Sequence, residues 1–359
     1  MKPIRILHVI SGLGSGGAES LIMNWYRHID RSLIQFDFLL RSKENIYEAE
    51  IAELGGRVFY TPEYPSKYFH NKKATQKFFK EHIGEFKAIH VHGNALLYVN
   101  VFKIAMRYGI TKRIFHCHST HSKHKIFEFV HKINRCKIKY LATDYFACSE
   151  ESGKFAFNNL KYKIFKNGID LERFNYNIET REKIRKELGL EDKFVVGHIG
   201  RFLDVKNHEF IVSVFENVSK QKENAFLVLV GSGPTKEKIQ KLLEQKTPNK
   251  FICLDERKDV ENIYQIMDVF VFPSKYEGFG ISALEAQASG LETFLSNTIP
   301  KDVFVTPKAI ELPIDSANEW ADAILKREKT IRIGQIELLK NSGFDMQDCI
   351  KFLEDYYLI

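Results

Sequence analysis

Phe272-Pro273-Ser274-Lys275-Tyr276-Glu277-Gly278-Phe279-Gly280-Ile281-Ser282-Ala283-Leu284-Glu285 follows an apolar run at 269–272 and leads into a stretch with helical spacing. A strand that ends in a glycine turn and enters a helix leaves backbone N–H groups free at the helix start. Two carboxylates beside those donors make a poor phosphate site and a good site for a hydroxyl-rich ligand. The carboxylates accept hydroxyl hydrogen bonds, and the N–H groups donate to sugar oxygens. The stretch points to carbohydrate chemistry.

Outward from it, β-rich apolar runs alternate with helical patterns. Runs at 4–10, 36–40, 57–60, 88–91, 113–116 and 144–147 read as strands of one parallel sheet. Runs at 194–199, 226–230, 251–253, 269–272, 292–295 and 309–312 read as a second. Helices are expected between them, for example at 75–83, 96–108, 123–140 and 281–288. Strand–helix alternation in two blocks predicts two Rossmann-like, doubly wound α/β domains. Ligands of such sheets bind beyond the carboxyl ends of the strands, so a shared site is expected in a cleft between the domains. The expected division is 1–170, 171–343 and a terminal helix at 344–359 crossing back to the first domain. Residues 176–191 read as a polar, charged connector.

The 359 residues fit two domains of ordinary size. Cys117, Cys136, Cys148, Cys253 and Cys349 lack CxxC spacing, which argues against a zinc ribbon or a disulfide scaffold and favours a reducing cytoplasm. The opening apolar run is broken by Arg5 and His8 and leads into a glycine loop, so it reads as a first strand rather than a signal peptide. No run approaches the roughly 18 apolar residues of a membrane span. The net charge of +7 is uneven: residues 1–170 hold 27 Lys/Arg against 15 Asp/Glu, and the remainder holds 26 against 31. A basic first half fits contact with an anionic inner membrane leaflet or an anionic lipid-linked substrate, and equally a solvated lysine-rich surface.

Three further places carry chemistry. Gly12-Leu13-Gly14-Ser15-Gly16-Gly17 follows the first strand with dinucleotide-like glycine spacing. No acid closes the next strand as a dinucleotide fold requires, since Asp37 sits within it, so a turn serving another anionic ligand is the better reading. Gly200-Arg201 and Lys206 follow the first strand of the second block, where a guanidinium fork and a mobile ammonium can grip a diphosphate. His116-Cys117-His118 and His121 end a first-block strand. Metal ligation, core histidines and an active-site donor are all open for them, although no acidic or cysteine cluster completes a metal set.

In this order the motifs resemble the retaining nucleotide-sugar glycosyltransferases of family four, which have the GT-B fold. The matching residues are Gly16-Gly17-Ala18-Glu19, His116-Cys117-His118, Asn167-Gly168-Ile169-Asp170, Gly200-Arg201 with Lys206, and the Glu277-x7-Glu285 signature. The likeness spans nearly the whole chain and is nearest to enzymes of capsular or exopolysaccharide assembly. It implies that Gly16 and Gly17 approach the donor diphosphate, which Arg201 and Lys206 neutralise as it leaves. Glu277, Gly278 and the backbone of Phe279 and Gly280 would hold the donor sugar, Glu285 the ribose hydroxyls, and His118 the sugar near its reacting carbon. The expected catalytic set is thus His118, Glu277, Arg201 and Lys206, with no metal and no cofactor. The substrates would be a nucleotide-sugar, with UDP as the carrier, and a lipid-linked glycan. A cytoplasmic enzyme, peripheral on the inner face of the plasma membrane and not binding nucleic acid, would fit. Leu254-Asp255 replaces a glycine usual in the family, and Gly290-Leu291-Glu292 replaces Gly-x-Pro. The rival readings are a sugar-nucleotide epimerase of similar fold and a noncatalytic glycan- or nucleotide-binding protein.

Overall fold

The computed structural model describes residues 2–14, 16–119, 125–257, 259–327 and 331–359. The chain divides into two compact units, Met1–Gly168 with Met346–Ile359, and Ile169–Asp345.

The first unit holds strands β1 (Ile4–Ile10), β2 (Ile34–Leu40), β3 (Arg57–Tyr60), β4 (Phe86–Gly93), β5 (Lys112–Cys117), β6 (Asp144–Ala147) and β7 (Lys163–Ile164). They form one parallel sheet in the order β3-β2-β1-β4-β5-β6-β7. Their near-continuous apolar runs follow from burial on both faces, since crossover helices cover each side of a parallel sheet. On one face Trp25, Tyr26, Phe36 and Phe38 pack with Leu353 and Tyr357 of the terminal helix Met346–Leu358. On the other, Phe78, Phe79, Phe102 and Phe115 form a second core. Asp37 is fully buried in β2 and accepts from Arg5 at 2.5 Å and Arg57 at 2.8 Å. Burial alone would raise its pKa, but the two guanidinium hydrogen bonds more than reverse this and hold it below the usual carboxylate value. This acid is occupied inside the fold and unavailable to a cofactor ribose.

The second unit holds β8 (Phe194–Ile199), β9 (Ala225–Val230), β10 (Phe251–Leu254), β11 (Val269–Phe272), β12 (Glu292–Ser296) and β13 (Ala309–Leu312), in the parallel order β10-β9-β8-β11-β12-β13. Both sheets reverse direction beside their first strand, between β1 and β4 and between β8 and β11. The loops that leave β8 and β11 are therefore neighbours, although 73 positions separate residue 200 from residue 273.

Several local expectations need correction. The supposed connector at 176–191 contains the helix Ile178–Glu187. Arg181 and Arg185 dock it by hydrogen bonds to Asp268 and to the carbonyls of Gln265, Ile266 and Met267. Its packing face is arginine, so it carries little apolar periodicity. The helix expected at 75–83 starts at Tyr68, and that expected at 96–108 starts at Asn100. The one expected at 123–140 runs over Lys125–Lys137 and tightens to a 3-10 turn at Ile138–Tyr140. Lys123 and His121 lie outside the described residues. The two-residue β7 is too short to leave a pattern in the sequence.

Candidate functional site

The second unit brings Lys206 and Glu277 together. Lys206 ends a 3-10 turn after β8, and Glu277 lies in the loop after β11. The ammonium Nζ is 2.6 Å from Glu277 Oε1, with side chains only 18% and 13% exposed. Two hydrogen bonds hold the loops in place: backbone Lys275 N donates to Val205 O at 2.8 Å, and the Asn207 side-chain Nδ2 donates to Pro273 O at 3.2 Å. Lys206 also lies over the Phe272 ring, 5.0 Å from its centroid, which is within cation–π range. An ammonium has three donors, and Glu277 accounts for one. Arg201 is exposed and forms no ion pair among the described residues.

Gly231 and Gly233 close this loop system from β9. Both have positive φ, +145° and +149°, and a Cβ on Gly231 would stand 2.2 Å from the Gly200 carbonyl oxygen. Only glycine allows that approach.

Gly280, at φ +110°, starts the helix Ile281–Ala288. Phe279 is buried with its ring 5.5 Å from that of Phe344, so at this position the backbone rather than the ring is open to a ligand. One turn into the helix, the Tyr264 hydroxyl donates to Glu285 at 2.8 Å and lies 3.1 Å from Ser282 O. Burial pushes the Glu285 carboxyl up to about 7, against the Tyr264 hydrogen bond and the Arg173 charge that lower it. Glu277 and Glu285 thus differ: one carboxylate is paired with a cation, the other sits over a phenol. A polar cavity of about 320 Å³ in the same unit is lined by Glu172, Arg173, Tyr176, Thr180, Glu261 and Gln265 among others. It includes none of the loop residues above, and its Arg173 already pairs with Glu261 at 2.6 Å.

In the first unit Gly16 caps the helix Gly17–His28. A Cβ on Gly16 would lie 2.2 Å from a Glu19 carboxylate oxygen, and one on Gly14 would lie 2.3 Å from a Glu44 carboxylate oxygen. At Gly17 a Cβ would meet nothing within 4 Å, so packing does not require glycine there. Ser15 lies outside the described residues. His118 follows β5. Its Nε2 is 2.9 Å from His92 Nδ1, and burial lowers its pKa to about 3, so the ring is neutral.

Sequence reasoning missed Tyr264, which sits under Glu285, and His198 and His208, buried beneath the Gly200 loop. His198 Nδ1 lies 2.8 Å from Val271 O, and the His208 ring stacks on Phe202 at 4.2 Å. Burial holds both histidines neutral. The only sequence signal for them was their position flanking Gly200 and Lys206.

Comparison with known proteins adds four findings. The family "Glycosyl transferases group 1" matches residues 180–329. EpsF of Bacillus subtilis (strain 168), a glycosyltransferase by name, is 32% identical over 380 aligned positions, covering 99% of this chain and 96% of that protein. The capsular polysaccharide biosynthesis glycosyltransferase CapM of Staphylococcus aureus is 33% identical over 135 residues, 36% of this chain and 35% of its own. Among solved structures, Anabaena HepE in complex with UDP superposes with a TM-score of 0.82 at 17% identity, over 98% of this chain and 99% of that one.

Proposed function

The chain belongs to the group 1 glycosyl transferases, and from that premise we propose that it moves a hexose or N-acetylhexosamine from a UDP-sugar to a lipid-linked or growing glycan in cell-surface polysaccharide synthesis. It is a glycosyltransferase with two parallel-sheet domains of the GT-B type. CapM, named for capsular polysaccharide biosynthesis, supports the pathway class, and the UDP held by HepE supports the base.

The observation that carries this reading is the Lys206–Glu277 pair at the direction change of the second sheet. With one donor on Glu277, Lys206 keeps two for a diphosphate, and Arg201 adds a planar fork. Two cations placed this way can balance the leaving diphosphate, so we assign the chemistry to the protein alone, without metal or cofactor. Glu277 and the backbone N–H groups near Gly280 hold sugar hydroxyls, and Glu285 accepts from the ribose. His118, neutral, contacts the sugar near its reacting carbon, and Gly16 and Gly17 admit the donor to the first unit's loop.

In the retaining reaction the bond from C1 to the phosphate oxygen breaks while the acceptor oxygen bonds to C1 on the same face. The acceptor's proton passes to the departing phosphate, and UDP leaves. Stabilising charge on that phosphate is the largest catalytic contribution. A thermal-shift and hydrolysis screen over UDP-, GDP-, ADP- and TDP-sugars tests the reading. Selective stabilisation by UDP-sugars is expected, and selectivity for another base would overturn the carrier. Epimerised sugar without acceptor would favour the rival enzyme.

We also propose peripheral attachment to an anionic membrane face from the cytoplasmic side. No helix among the described residues is long and apolar enough to cross a membrane. The helix Lys125–Lys137 with its following turn instead exposes Ile126, Phe129, Ile133 and Tyr140 beside Lys132, Lys137 and Lys139. Apolar side chains flanked by cations suit the interface of an anionic bilayer.

A further inference from the structure

Five histidines from three adjacent strands stack in the first unit's core. His8 stands on β1, His90 and His92 on β4, His116 on β5, and His118 just after it. Register explains the assembly: His8 lies opposite His90 and His92 opposite His116, and period-two alternation puts all of them on the Trp25 face.

Within the stack three rings form a chain. His8 Nδ1 is 2.9 Å from His92 Nε2, and His92 Nδ1 is 2.9 Å from His118 Nε2. Exposure rises along it, from 0% at His8 through 2% at His92 to 9% at His118. We propose that His8 and His92 are positioning residues that fix His118 in a single tautomer, with its proton on Nδ1 and its Nε2 as an acceptor. This rests on the reading of His118 as a sugar contact, and it makes that contact a hydrogen-bond donor.

A neutral imidazole has one donor and one acceptor. Two contacts in series therefore allow only two arrangements, all three protons on Nδ1 or all three on Nε2. The arrangements differ at the buried end, where His8 Nε2 has no partner among the described residues. With the protons on Nε2 this end is a buried N–H without an acceptor; with them on Nδ1 it is an unshared lone pair, the more tolerable of the two. Burial holds all three rings neutral, as the argument requires.

A metal reading of the cluster fits less well, although ligand atoms of His92, His116 and His118 lie within 4.8 Å of one another. A tetrahedral metal with bonds of about 2.0–2.1 Å spreads its nitrogens roughly 3.3 Å apart. The observed 2.9 Å is a hydrogen-bond separation. The buried carboxylate of Asp37, already held by Arg5 and Arg57, is not free to balance a dication.

The test uses the full chain labelled with 15N-histidine, reading tautomers from long-range 1H–15N correlations. His118 is expected as the Nδ1–H form in the unsubstituted protein, a measurement that needs no variant. The same form should persist in His8→Asn, whose amide can donate from the Nδ1 position, and become mixed in His8→Leu. In transfer assays His8→Leu should lower kcat about tenfold with donor KM within about twofold, and His8→Asn should recover most of it. An Nε2–H His118, a tautomer unmoved by His8→Leu, or stoichiometric metal in the purified protein would each overturn the relay. Full transfer by His118→Ala would instead remove the parent reading, while the spectrum still decides the relay.

Discussion

The Lys206 ammonium lies 2.6 Å from the Glu277 carboxylate, across two loops joined by one backbone hydrogen bond and one from the Asn207 side chain, and away from most solvent. Removing either partner leaves a partly buried charge uncompensated and, on the proposed assignment, removes one contact to the donor. Lys206→Ala and Glu277→Ala should each reduce transfer at least about tenfold, about 1.4 kcal/mol of barrier. Because the residues touch, the double variant should lose less than the product of the single losses. Steady-state kinetics on the three variants check this, and full activity in both single variants would dissolve the site assignment.

Glu285 gives a pH signature. Its carboxyl is raised by burial from 4.5 to about 7 in the folded chain. The folded state therefore holds this proton more tightly than the unfolded state. The associated stability is complete below about 4.5 and is lost as pH rises through about 7. Glu285→Gln, which can still accept from Tyr264, should be more stable than the parent at pH 8, on the order of 2 kcal/mol, and nearly equal to it at pH 5. Donor binding should follow the opposite course. The ionised carboxylate is the better acceptor for ribose hydroxyls, so donor KM should fall between pH 6 and 8 in the parent and stay flat in the variant. Melting curves and donor titrations at both pH values read the two effects separately.

The two sheets and the loops around Gly200 and Glu277 were legible because their cues are local: an apolar run, a glycine, a charged residue, then helical spacing. What joins them was not. Nothing near Lys206 announces Glu277, 71 positions away; only the strand order puts β8 beside β11. The histidine stack is hidden for the same reason, since His8 and His118 are linked through His92 across paired strands. The helix Ile178–Glu187 went unseen because its docking runs through Arg181 and Arg185 to carbonyls and Asp268, which hydrophobic periodicity does not register. The early start of the helix at Tyr68 was masked by a first turn with an exposed Phe69 and no capping side chain.

The glycines separate packing from function. At Gly231 a methyl group would collide with the Gly200 carbonyl at a φ of +145°, so Gly231→Ala should destabilise the second unit by about 1–3 kcal/mol and weaken donor binding with it. At Gly17 a methyl group meets only open space. Gly17→Ala should fold with stability within about 1 kcal/mol of the parent or slightly above it, alanine being the better helix former. If the donor approaches that backbone, transfer should nonetheless fall about tenfold or more. Melting temperature beside donor KM and kcat distinguishes the cases, and a fully active Gly17→Ala would take the first-unit loop out of the donor site.

The proposed membrane face would depend on two forces that can be removed one at a time. Ile126 and Phe129 are 75% and 65% exposed, and inserting such side chains gains roughly 25 cal/mol per Å² of apolar surface withdrawn from water. Lys137 and Lys139 lie close by, with Lys139 over the Tyr140 ring at 4.9 Å, while Lys132 is shared with Glu128 at 2.8 Å. Each cation near an anionic surface contributes about 1 kcal/mol, screened by salt. Flotation with vesicles rich in phosphatidylglycerol should therefore weaken in high salt and in a Lys132→Gln, Lys137→Gln, Lys139→Gln triple variant. An Ile126→Ser, Phe129→Ser double variant should weaken it too, with less salt dependence in what is lost. Both variants should keep their activity on a water-soluble acceptor, because neither touches Lys206, Glu277 or Glu285. Flotation unchanged in both would place membrane contact elsewhere on the chain or remove it altogether.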